Sequence, residues 1–219
     1  DLCLNGHIIK LELEEGVFQS VIQISSYVTL NLYDHDVTTK HYFNKDNTTG
    51  LWTLAEDQTV PTAYVITGGC ITGGNVSSGA GIYINGGTLN MFGGNIVGNM
   101  ASSNGGGVSN SLGNFTMSGG SIVGNVANNG GGLYTSFLAI NIITGGVITD
   151  NTATVGAGIY AKEEECLAAG TLITMADGTQ KPIETLNIGD EVRVFDHETG
   201  EIATSKLFDV WPYPEKHSG

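Results

Sequence analysis

The chain has 219 residues, with 22 acidic against 8 basic side chains and a formal net charge of −14. That balance repels phosphate backbones and argues against nucleic acid as a partner, and a single arginine, Arg193, argues against an anionic-lipid surface. Glycine reaches 33 residues without a collagen period, three cysteines are too few for a disulfide framework, and no apolar run is long enough to span a membrane.

The chain opens in strand-like alternation at residues 1–9 and again at 28–32, where apolar and polar residues take turns. Cys3 and Cys70 fall in such apolar stretches and read as inert, buried thiols. Between Tyr33 and Thr59 the alternation fails and charges gather, which predicts a loop (residues 33–59) extruded from the strand-bearing body. The loop carries Asp34-His35-Asp36, with His41 and Asp46 nearby. Their spacing matches no closed metal site, so we read a solvated loop and expect neither metal nor cofactor.

A repeat follows. Gly68-Gly69, Gly93-Gly94, Gly119-Gly120 and Gly145-Gly146 recur at intervals of 25, 26 and 26 residues. Three residues after each first glycine stands Ile71, Ile96, Ile122 or Ile148. Then come Asn75, Asn99, Asn125 and Asn151, and a second glycine cluster, as in Gly105-Gly106-Gly107. An apolar–aromatic pair follows three of these clusters, as at Ile82-Tyr83, Leu133-Tyr134 and Ile159-Tyr160. Stretches such as Thr88 to Met91 close each unit. One unit of three short strands buries nothing alone. Stacked at the strand spacing of about 4.8 Å, like pulses pair and build three parallel sheets around a narrow core. Glycine supplies the corners, and the asparagines are expected to form a side-chain ladder at one of them.

These repeats resemble those of right-handed parallel β-helices of the pectin-lyase-like kind found in bacterial surface and adhesin-like proteins. The resemblance covers residues 1–161, the regular coils running from 67 to 161. It implies an all-β solenoid, an extracellular or cell-surface location, and surface glycans or proteins as partners, and it leaves the oligomeric state open. Relatives that cut acidic polysaccharides need carboxylates or a base, yet residues 67–161 hold one charged side chain, Asp150, so a polysaccharide lyase is disfavoured.

After a charged junction, Lys162-Glu163-Glu164-Glu165, the glycine repeat is gone. Residues 171–175 read as a strand, Asp177-Gly178 as a tight turn, Gly189-Asp190 as a second turn, Glu191 to Val194 as a half-buried strand, and Ile202 to Trp211 as a further one. The string Cys166-Leu167-Ala168-x-Gly170-Thr171-x-Ile173, then Asp177-Gly178-Thr179, then Ile183-x-x-Leu186-x-x-Gly189-Asp190-x-Val192, is similar to the start of Hint domains, the fold of inteins and the hedgehog autoprocessing domain. The resemblance spans residues 166–219 and implies an incomplete Hint-type β domain. It makes Cys166 a nucleophile that attacks the carbonyl of Glu165, the acyl donor, in an N-to-S acyl shift. The family's Thr-x-x-His and closing His-Asn do not occur here: His197 and His217 lack a threonine three residues before them. We therefore expect part of a longer protein, inactive alone, whose whole product processes itself. The alternative is an adhesin-like structural or binding β-helix with the Hint segment incidental.

Overall fold

The computed structural model describes residues 1–12, 14, 17–162, 172–182, 185–195 and 201–206. The chain divides into two units, Asp1–Glu163 and Glu164–Gly219.

The first unit is a parallel β-solenoid of five rungs. Each complete rung visits four sheets in the same order. Sheet A stacks Leu2–Cys3, Thr29–Tyr33, Thr88–Met91, Asn114–Met117 and Ile140–Ile143. Sheet B stacks Ile8–Lys10, Cys70–Thr72, Asn95–Val97, Ser121–Val123 and Val147–Thr149. Sheet C has four strands, Asn75–Ser78, Met100–Asn104, Val126–Asn129 and Thr152–Val155. Sheet D stacks Ile22–Ser25, Ile82–Asn85, Val108–Asn110, Leu133–Thr135 and Ile159–Ala161. The three expected pulses are sheets A, B and D; sheet C is a correction. Its strands point only Val76, Ala101 and Ala127 at a small satellite cluster, so they carry no apolar pulse to read.

The expected isoleucine column is present. Ile71, Ile96, Ile122 and Ile148 pair in register along sheet B. Opposite, Leu30, Leu89 and Phe115, then Leu32, Met91 and Met117, form columns of sheet A. Ile22, Ile82, Val108 and Leu133 close the core from sheet D. Fourteen buried side chains make one continuous core. Stacking brings each residue onto its repeat equivalent, so one rung's choice of side chain constrains the next.

The C-to-D corner is built by the second glycine clusters. At Gly107 an added Cβ would lie 2.5 Å from Ile122 Cγ2 and 2.6 Å from the Gly132 carbonyl oxygen, so glycine is required by the rung stacked on it. The asparagine ladder stands at the other end of sheet C's strands. Asn99 Nδ2 donates to Asn125 Oδ1 at 3.0 Å, and Asn125 Nδ2 to Asn151 Oδ1 at 3.0 Å. Asn75 does not belong to it. Met100 pairs with Asn75, which puts Gly74 level with Asn99, and the Gly74 amide donates to Asn99 Oδ1 at 3.0 Å. Asn75 stands four residues after Ile71, whereas Asn99 stands three after Ile96, so Gly74 takes the place in the column; the one-residue difference between the two rungs falls later, between Ala101 and Asn104.

Residues 34–69 leave the solenoid between sheets A and B of the second rung. They form an antiparallel sheet of Trp52–Leu54, Lys40–Lys45 and Tyr64–Thr67. The extruded segment is thus ten residues longer than the expected loop at its far end, and it is structured. Phe43, Trp52 and Ile66 lie over the outer face of sheet B, on Cys70, Val97 and Val123. Trp52 N–H donates to Gly124 O at 3.0 Å, and Gly124, at φ +63°, is where a Cβ would overlap the Trp52 ring.

In the second unit, Leu172–Thr174 pairs antiparallel with Gln180–Pro182, and Glu191–Phe195 with Ile202–Lys206. Met175 bridges to Val192, and the Ala176 amide donates to Glu191 O at 2.8 Å, joining the two hairpins. The first turn is fastened by Asp177, whose carboxylate accepts from the Thr179 hydroxyl and amide at 2.7 and 2.9 Å.

Candidate functional site

Cys166 and Glu165, the expected nucleophile and acyl donor, lie outside the described residues, as do His197 and His217. Later in the chain, a charged pair fastens the described strands. Lys181 Nζ meets Asp190 at 2.6 Å, and the Asn187 amide donates to the same carboxylate at 2.8 Å. The Lys181 ammonium, then the Asn187 amide, hold the Asp190 carboxyl below the usual carboxylate range. Lys181 and Asp190 therefore tie the end of the first hairpin to the start of the second.

In the first unit, polar and sulfur-bearing side chains gather at the base of the excursion. Asp34 accepts from the Gly6 amide at 2.9 Å and the Gly69 amide at 2.6 Å, clamping the point where the chain leaves to the point where it returns. Asp36 accepts from the hydroxyls of Thr39 and Thr38 at 2.6 and 2.7 Å and from their amides, and these bonds hold its carboxyl far below the ordinary value. His41 donates from Nε2 to Gly6 O at 2.7 Å. The solvated-loop reading is corrected here: Asp34 and His41 are structural ties, buried or half-buried. Among the described residues no three of His, Cys, Asp and Glu converge to hold a metal ion.

The two described thiols differ. Cys70 is fully buried under the excursion, and burial, then the nearby Asp34 charge, pushes its thiol up to about 12. That agrees with an inert core thiol. Cys3 does not: it is exposed, and its Sγ lies 3.0 Å from His35 Nδ1. The first strand is at the end of sheet A, and its second residue turns outward there. Alkylation with iodoacetamide followed by peptide mapping is expected to label Cys3 in the native protein and Cys70 only after unfolding. Equal native labelling of both would refute the burial.

An open groove of about 660 Å³ runs between the excursion and the corner joining sheets B and C. Lys10, Asn44, Thr53, Glu56, Asp57 and Thr72 line it, over a floor that includes Gly73 and Gly98. Lys10 is engaged with Glu12 at 3.0 Å. One base against two acids, with Leu54, Ala55 and Val60 among the hydroxyls and an amide, makes the groove a mixed, net-acidic surface. Sequence reasoning missed this groove because its far wall is a sheet inside a segment read as loop.

No family model matches the chain, and no curated protein or solved structure resembles it significantly.

Proposed function

We propose that the chain joins a right-handed, pectin-lyase-like β-helix of a bacterial surface or secreted protein to the front part of a Hint-type self-processing domain. The observation that carries the reading is the paired hairpins of residues 172–206, whose turns at Asp177-Gly178 and residues 187–190 fall where the Hint-like string has them. In the reaction the Cys166 sulfur bonds to the Glu165 carbonyl carbon, and the carbon–nitrogen bond breaks. The proton lost by the thiol ends on the freed α-amine of Cys166, leaving a thioester. Thiolate formation requires a base, the oxyanion requires donors, and the amide has to be weakened before attack. The three glutamates before Cys166 disfavour the thiolate, so the residues that complete the domain have to supply compensating donors.

The test is expression of the whole gene product with and without Cys166→Ala, followed by intact mass measurement. A break between Glu165 and Cys166 that disappears in the alanine variant is the expected result. Cleavage that persists in the variant removes the mechanism. An uncut product in both forms favours the second reading, an adhesin-like spacer, which the groove beside the excursion supports as a place for glycans or protein loops.

A further inference from the structure

In the excursion, the strand Trp52–Leu54 and the turn before it cross the rungs instead of following them. Gly50 lies against Thr152 of the fifth rung. The Trp52 amide donates to Gly124 O of the fourth, and Trp52 O lies over Gly98 of the third. Leu54 and Ala55 line one groove with Thr72 and Gly73 of the second. An extended chain covers about 13 Å from residue 50 to residue 54, and three rung spacings come to about 14 Å. This segment therefore runs along the solenoid axis.

The corner between sheets B and C records that path. From the second rung to the fifth it turns on a residue of positive φ: Gly73, Gly98, Gly124 and Asp150. Asp150, at φ +52°, shows that the bend itself does not demand glycine, since aspartate tolerates this conformation. Glycine is demanded at 98 and 124 because a Cβ there would run into Trp52 O or the Trp52 ring, and at 73 into Leu11 O. The corner takes a side chain in the rung where the strand has given way to its turn.

The fifth rung is the one with least hold of its own. None of its side chains belongs to the main buried core, and of its apolar residues Ile148 alone packs against that core. Stacking by itself couples each rung only to its neighbours. We infer that the excursion is an axial brace, a conformational device that ties together rungs that do not touch. Asp34 fixes its base through the Gly6 and Gly69 amides, and its tip at Gly50 seats on the fifth rung. The docked brace governs how readily the fifth rung opens from the stack. That rung leads into the charged junction, and the Lys162 amide still donates to Thr135 O of the rung below at 2.8 Å.

Hydrogen exchange on the full chain, read strand by strand, tests this. Trp52 sits on the third and fourth rungs, so Trp52→Ala loosens the brace away from the fifth. Exchange over Thr152–Val155 is expected to speed up about tenfold along with Lys40–Lys45, while Ser121–Val123 stays protected. Thr152–Val155 keeping its wild-type rate while Lys40–Lys45 accelerates overturns the brace, and so does equal acceleration of every rung. A tether is expected to give the opposite change. A Cβ built on Gly50 lies 3.1 Å from the Thr152 Cβ, slightly inside the span of a disulfide. In the triple variant Cys3→Ser/Gly50→Cys/Thr152→Cys, mild oxidation is expected to form the bridge and to slow exchange over Thr152–Val155 about tenfold against the same protein reduced. A bridge that does not form, or equal exchange with and without it, overturns the proposal.

Discussion

Asn125→Leu is expected to lower the stability of the solenoid by about 4 kcal/mol, among the largest effects of any single side chain in it. Asn125 is fully buried. Its Oδ1 accepts from Asn99 N–H and Nδ2 at 2.9 and 3.0 Å, and its Nδ2 is shared among Ile96 O, Val123 O and Asn151 Oδ1 at 2.9 to 3.1 Å. Leucine fills a similar volume but strands the Asn99 amide and two carbonyl oxygens inside the corner. Each unpartnered group costs roughly 1–3 kcal/mol, which outweighs anything leucine gains by being apolar. Urea unfolding followed by circular dichroism reads the loss as a lower midpoint. Asn75→Leu is the control. Asn75 has no place in the ladder and is partly exposed, so the change is expected to stay within about 0.5 kcal/mol. Equal losses at the two positions would contradict the register described for the second rung.

The second large effect is expected at Trp52, and it is of a different kind. Trp52→Ala removes a side chain only 6% exposed that packs on Tyr64 and Phe43, with ring centroids at 4.8 and 6.5 Å, and on the backbone at Gly124. A buried tryptophan cut to alanine costs about 3–5 kcal/mol. Here the loss falls on the docking of residues 34–69 against sheet B. The five-rung stack has its own core, in which Trp52 takes no part. Hydrogen exchange is therefore expected to speed up over Lys40–Lys45 and Tyr64–Thr67 while Ser121–Val123 stays protected. Uniform acceleration would mean that the excursion and the solenoid melt as one unit. Trp52→Phe is expected to cost less than its lost volume suggests, because the Trp52 Nε1–H is buried with no hydrogen-bond partner and its removal relieves that debt.

The parts of this fold that were legible in the sequence are those where a side chain faces the main core once per rung. Ile71, Ile96, Ile122 and Ile148 gave the period, and the paired glycines gave its phase. Sheet C was hidden because its inward residues, Val76, Ala101 and Ala127, alternate with serine, asparagine and glycine, a pattern that reads equally well as a turn. The ladder was legible as a column of asparagines but not its exact membership: in the second rung the asparagine stands one residue past the ladder position, which Gly74 occupies. The excursion was legible as an interruption, and its inner strands were not, because Lys40–Lys45 draws its buried contacts from residues far along the chain. Cys3 was misjudged since a strand pattern does not say which of its faces is covered at the end of a stack. In the second unit the turns at Asp177-Gly178 and before Glu191 are where their residue types put them, since local hydrogen bonds from Asp177 and Asp190 are enough to make them.

The placement of Trp52 against Gly124 has a consequence for the order in which a ribosome can deliver this protein. A solenoid winds by adding each new coil to the one already made, so its growth can follow synthesis from the amino end. Residues 34–69 are an exception: the surface they rest on includes Val97 and Val123, and their tryptophan waits for a carbonyl at residue 124. Until the residues up to Gly124 have emerged, 55 beyond Gly69, an apolar hairpin made early has nowhere to go. Slowing translation upstream of residue 124 would lengthen that wait, and a helper that shields Phe43 and Trp52 would have its work concentrated in that interval.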